Sequence, residues 1–215
     1  MKLPKLIAVA ALAAGAVSAA HAAPVLRLTD GTTTITCADG AACDVAGAAG
    51  VVAYIGSIGA FVVNVSTGLG DGGSAVNLID LNSVNVSAGS GTLSISLTDQ
   101  GYSHVGVIAG SWGGVFSGLG SVSAYGYAGT SDGLFEQSML LGSFGPFSAG
   151  PFAAGFSAVG PASGPYSLTQ EVVITALGPS TYSGNFEMRV PEPSALSLAG
   201  LALFGMGVAR RRKAR

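Results

Sequence analysis

The chain has 215 residues, is 49% hydrophobic and only 9% charged, and contains 34 glycines. Such apolar content argues against bulk disorder, and without a strict Gly-X-Y period there is no collagen triple helix. Between Ala23 and Val190 stand two basic residues, Arg27 and Arg189, and ten acids, a net charge of −8 with no lysine. This argues against nucleic-acid binding, which needs Lys or Arg to neutralise phosphate.

The N-terminus has the layout of a secretory signal. Lys2 and Lys5 precede an apolar run, Leu6 to Val17, and Ala20-His21-Ala22 is a small-x-small cleavage site. Cleavage before Ala23 gives residues 1–22 as signal peptide and removes His21. The alternative, an uncleaved anchor, has too short an apolar run to span a bilayer well.

Residues 23–189 read as one exported β-rich domain. Thr32 to Thr36 is β-branched through Thr32-Thr33-Thr34-Ile35-Thr36, and Val51 to Val65 and Val76 to Val86 are β-rich. Gly56 and Gly59 interrupt the first of these two runs. Leu93-Ser94-Ile95-Ser96-Leu97 alternates with period two, as a half-buried strand does. Glu171 to Leu177 is another strand run, and Phe186, Met188 and Val190 alternate with Asn185, Glu187 and Arg189. Asp-Gly pairs begin at Asp30, Asp39, Asp71 and Asp132 and mark turns. The expected fold is all-β, an antiparallel sandwich or jelly-roll-like arrangement, with at most one short helical turn between Asp132 and Leu141. Phe144 to Gly164 holds four spaced phenylalanines and three Pro-containing steps. It reads as a long loop or irregular edge whose rings pack on the core, or as an aromatic surface for sugar or partner stacking.

Reactive chemistry is sparse. Cys37 and Cys43 are the only cysteines, and export places them where a disulfide closes a five-residue loop. That gap departs from the C-x-x-C redox spacing, and two thiols alone do not make a zinc site. His104 is the sole histidine of the mature chain, but Gly101-Tyr102-Ser103-His104-Val105-Gly106 misses the nucleophile-elbow spacing by one residue. Ser103 and His104, as strand neighbours, would point to opposite faces. The acids are scattered; two of them converging in space would be the alternative route to hydrolase chemistry. Asp71-Gly72-Gly73 offers oxygens for a cation, yet no EF-hand or calcium-repeat spacing is present. No catalytic residue, metal site or cofactor is assigned.

The C-terminal segment, residues 190–215, has three parts. Val190-Pro191-Glu192-Pro193 comes first; its prolines lack N–H groups and hold Glu192 in a stiff, extended stretch. Ala195 to Ala209 is a 15-residue uncharged run, about 22 Å long as a helix against a hydrocarbon core of roughly 30 Å. Arg210, Arg211, Arg212 and Lys213 then set a cytoplasmic C-terminus and leave the body outside.

This order resembles the PEP-CTERM sorting signal of bacterial exported proteins. The resemblance covers about the last 25 residues and implies recognition by exosortase, a membrane protease-transpeptidase, with Glu192 as the recognised side chain. It implies a periplasmic or cell-surface address in a Gram-negative bacterium, membrane anchoring before processing, and an association with exopolysaccharide and biofilm. Related tails are also labelled ice-binding protein C-terminal domains. The reading is therefore a non-catalytic structural or adhesive protein of the envelope or extracellular matrix. A polysaccharide- or ice-binding module is the alternative, and a secreted hydrolase a more distant one.

Overall fold

The structure is a computed structural model that describes residues 23–70 and 78–190. The signal segment, Asp71-Gly72-Gly73 and everything from Pro191 onward lie outside these residues. Among them there are nine strands and no helix: β1 (Val25–Thr29), β2 (Thr34–Ala38), β3 (Val51–Ile58), β4 (Phe61–Gly70), β5 (Leu78–Tyr102), β6 (Val107–Gly129), β7 (Met139–Phe147), β8 (Gly150–Val159) and β9 (Tyr166–Arg189). Every pairing is antiparallel.

Three very long strands organise the molecule. β9 lies between β5 and β6 and pairs with both along nearly its whole length. A straight 25-residue strand would span roughly 80 Å. Yet the Tyr102 hydroxyl at one end of β5 donates to the carbonyl of Leu78 at the other, at 3.3 Å. Likewise Gln170 Nε2 donates to the Phe186 carbonyl farther along the same strand, at 2.8 Å. The long strands therefore fold back, and one sheet supplies both layers.

The fold line is set by local chemistry. Register slips between Ala88 and Ser90 on β5 and between Gly118 and Gly120 on β6. On β9 the same level is Leu177-Gly178-Pro179. Gly118 and Gly120 have φ of 106° and 131°, in the region that favours glycine. A β-carbon at Gly120 would overlap the Thr175 carbonyl oxygen, and one at Gly118 the Pro179 carbonyl oxygen. Extra residues at such bulges bend the strand.

Below the fold line the first layer runs β3-β4-β5-β9-β6-β8; above it the second runs β2-β1-β5-β9-β6-β7. Alternation fills the interior: Leu93, Ile95 and Leu97 of β5 and Val172 and Ile174 of β9 are buried, as their period predicts. Phe186, Met188 and Val190 are buried too, with Asn185 and Arg189 exposed. The expected all-β antiparallel class is observed, with the two layers formed by one folded sheet.

The segment from Phe144 to Gly164 corrects an expectation. It is mostly regular: Phe144 and Phe147 belong to β7, and Phe152 and Phe156 to β8. Pro146 sits near the end of β7, and Pro151 near the start of β8, an edge strand that tolerates a missing N–H. Phe147 stacks on Phe152 at 4.8 Å between ring centroids, joining the layers, and Trp112 lies 4.5 Å from Phe152 and 6.0 Å from Phe144. The Trp112 indole donates to the Tyr182 hydroxyl at 2.9 Å. Phe156 occupies space that β-carbons at Gly110 and Gly142 would take, and Met188 Sδ, with Phe156 beside it, the space at Gly126, which accounts for glycine in three strand interiors. No helical turn forms before Leu141; residues 130–138 are a loop.

Candidate functional site: two outer faces and two termini

The reactive residues singled out in the sequence fall apart in space. Cys37 and Cys43 form the expected disulfide, which ties the chain leaving β2. Within and beside that loop the acids are spent on backbone N–H groups. Asp44 accepts from Gly40, Ala46 and Ala53, and Asp39 accepts from Gly50. Asp30 caps the β1–β2 turn through Thr32 and Thr33, which lowers its pKa, the Thr33 N–H contributing most. Thr32 and Thr33 belong to this turn, and only Thr34 to Thr36 continue as strand. His104 accepts a hydrogen bond at its carbonyl from the Tyr166 hydroxyl, at 2.8 Å, while its Nδ1 is buried without a partner. Among the described residues no carboxylate is hydrogen-bonded to that ring.

Two outer faces do gather polar chemistry. On the first layer, Asp80 and Glu187 stand opposite each other on β5 and β9, and Ser111 of β6 is opposite Glu187. With Asn82 and Asn185 they line an open groove of about 550 Å³. Burial pushes the Asp80 carboxyl up to about 6; the Glu187 charge adds, while Arg189 and an Asn82 hydrogen bond oppose. Arg189 engages Glu187 through two guanidinium nitrogens. Two acids therefore meet, as hydrolase chemistry would require, but one is held in an ion pair. Among the described residues no group of three or more His, Cys, Asp or Glu is placed to hold a metal ion.

On the second layer a cross-strand row runs Arg27, Ser96, Glu171, Tyr125 and Ser143. The next row toward the open end has Thr98, Thr169 and Tyr127, and the next toward the fold line has Ser94, Val173 and Ser123. Tyr125 and Tyr127 are half-buried and stack with ring centroids 6.2 Å apart. The two Glu171 oxygens accept from Ser94 Oγ at 2.6 Å and Gln137 Nε2 at 3.1 Å. Burial raises the Tyr127 phenol, with smaller contributions from the Glu171 charge and from Tyr125. The 130–138 loop forms a wall over the Thr98–Thr169 pair. The Phe135 N–H donates to Thr98 Oγ1, Arg27 lies 4.1 Å over the Phe135 ring, and Ser167 Oγ donates to the Gly133 carbonyl. Glu136 binds the loop together, and its carboxyl is held at about 2, chiefly by the Ser131 hydroxyl.

No single motif announces this second face. Its signals were the i, i+2 tyrosines and the lone Glu171, spread over three strands whose register the sequence does not state.

The termini complete the geometry. Val25 pairs with Thr98 and Arg189 with Leu78, which meets Tyr102 across the layers. Both ends of the described body, Val25 and Arg189, thus lie at the open end, opposite the fold line. Val190, just beyond β9, is 1% exposed.

An all-β body ending directly in a C-terminal sorting segment is the class that these features define. The PEP-CTERM protein-sorting motif matches residues 189–213, starting on the last residue of β9. The chain therefore carries the sorting segment of PEP-CTERM proteins, which are exported and membrane-anchored before processing. No curated protein sequence matches the chain. Among solved structures, the enzymatically active domain of bacteriophage CBA120 tailspike protein 4 is similar over 56% of this chain, at 9% identity and TM-score 0.37. The chain spans 18% of that tailspike's length. A CBM36-1 domain of a xylanase from the Trinervitermes trinervoides hindgut metagenome is similar over 51% of this chain and 78% of its own, at 15% identity and TM-score 0.32. The K1 cleaved adhesin domain of Lys-gingipain from Porphyromonas gingivalis is similar over 66% of this chain and 99% of its own, at 9% identity and TM-score 0.31. No helix among the described residues is long and apolar enough to cross a membrane.

Proposed function

We propose that this is an exported, exosortase-processed protein of the envelope or extracellular matrix, whose folded body has a structural or adhesive role without catalysis of its own. The carrying observation is the placement of its ends. The first strand opens at Val25, two residues after the expected start at Ala23, and the last closes at Arg189, where the sorting motif begins. Removal of the signal and cleavage near Pro-Glu-Pro would leave every described strand intact. With both ends at one pole, a body tethered through Pro191 would stand with the fold line farthest from the membrane. The twelve β6 residues Val107–Gly118 give a height of about 40 Å.

A second reading, contact with polysaccharide, is supported by the tyrosine-bearing outer face of the second layer. The sorting half of the proposal is tested by Glu192→Ala and by deletion of Arg210 to Lys213 in a host that contains exosortase. Both variants are expected to accumulate unprocessed while the body keeps its β circular-dichroism spectrum. Normal processing of both would contradict the assignment.

A further inference from the structure

We propose that the outer face of the second layer is a binding shelf for a neutral polysaccharide, with Tyr125 and Tyr127 as its aromatic floor and Glu171 as its hydroxyl-reading group. The inference rests on the second reading above and gives it a site.

Tyr125 and Tyr127 lie two residues apart on β6 and share a face, their rings inclined by only 23°. Such a pair offers apolar ring surface with phenolic hydroxyls at its margin, which suits a ligand that alternates C–H faces with hydroxyls. Glu171 is the direct cross-strand partner of Tyr125. Ser94 and Gln137 fix its carboxylate, using one acceptor site on each oxygen; a carboxylate has about four. The remaining sites can accept from sugar hydroxyls at a position already set.

The wall beside the floor is preformed. Asp132 and Phe135 in the 130–138 loop have φ of 58° and 55°, a left-handed backbone that costs free energy for residues other than glycine. The surroundings over-determine both. Asp132 Oδ1 accepts from the Gly101 N–H at 2.9 Å, Gln100 donates to the Asp132 carbonyl, and Arg27 covers the Phe135 ring. Gln137, which orients Glu171, projects from this same loop. Away from the wall the floor continues through Ser123, Val173, Thr175 and Ser121 toward the fold line. These side chains are small, so a chain can lie along the strands.

Charge selects the class of polysaccharide. The span from Ala23 to Val190 carries −8 and no lysine, and Arg27, the basic residue of this face, is occupied by Phe135. An acidic polysaccharide is repelled, and a neutral one is not.

The test is native affinity electrophoresis of the processed protein in gels containing hydroxyethylcellulose, dextran, galactomannan or alginate. Retarded migration is expected with at least one neutral polymer and not with alginate. Tyr125→Ala and Tyr127→Ala should each weaken retention about tenfold, and Tyr125→Phe should keep it, with circular dichroism checking that each variant folds. Retention that survives the Tyr125→Ala/Tyr127→Ala double variant would overturn the site but leave the polysaccharide reading standing. Retention by alginate alone would overturn the neutral class. No retention by any of the four polymers would overturn the site and that reading together, and the mass of the processed protein reports the sorting assignment independently.

Discussion

Gly120 concentrates what the fold asks of one residue. Its φ is 131°, and a β-carbon there would overlap the Thr175 carbonyl oxygen of the neighbouring strand. Gly120→Ala is therefore expected to destabilise the body by about 3 kcal/mol or more, measured by urea unfolding. Gly113→Ala, where a β-carbon would meet the Phe152 carbonyl oxygen at an ordinary 3.5 Å, should stay within about 1 kcal/mol of the wild type. Asp80 gives a prediction about pH. Its folded pKa, about 6, lies above the ordinary 3.8, so its contribution is fully present below pH 3.8 and lost as pH rises through 6. Asp80→Asn should raise the thermal midpoint at pH 7.5, by about 1 kcal/mol in stability once solvent screening at this half-buried site is allowed for. At pH 3.5 it should have little effect. Equal effects at both pH values would show that Asp80 ionisation is not the cause.

At the scale of elements, the legibility of the sequence followed the locality of its signals. The alternation of Leu93 to Leu97 and of Phe186 to Val190 needs only residues near in sequence, and both strands are found with the expected buried faces. Cys37 and Cys43 were readable for the same reason. Their disulfide closes a loop short enough to contribute about 2 kcal/mol, so reduction under native conditions should lower the unfolding free energy by roughly that amount. An unchanged stability would mean that Asp39 and Asp44, with their backbone hydrogen bonds, hold the loop alone. Phe144 to Gly164 misled because prolines signal irregularity locally. Here Pro146 and Pro151 lie near strand ends, and what makes β7 and β8 strands is distant: Trp112, and Gly110 under Phe156. The Tyr125–Tyr127–Glu171 face was illegible for a stronger reason. Glu171 meets Tyr125 only because β9 pairs with β6 in one particular register.

At the scale of the whole molecule, the fold turns a sheet of very long strands into a body with two unlike poles. The fold line presents Leu119 and Leu177, 65% and 73% exposed, while the open pole holds Val25 and Arg189, the two ends of the described strands. That polarity, more than any reactive group, ties structure to the proposed address: every described strand lies between Val25 and Arg189, so removal of the expected signal and of the sorting segment would take none of them. Processing would be recorded in the chain ends, and intact mass measures them. The protein should be purified from a host with exosortase and from its exosortase-deficient counterpart. A mass beginning at Ala23 and ending near Pro191 in the first host only is the predicted result. Retention of every residue through Arg215 in both hosts would contradict it and leave the C-terminus as a simple anchor.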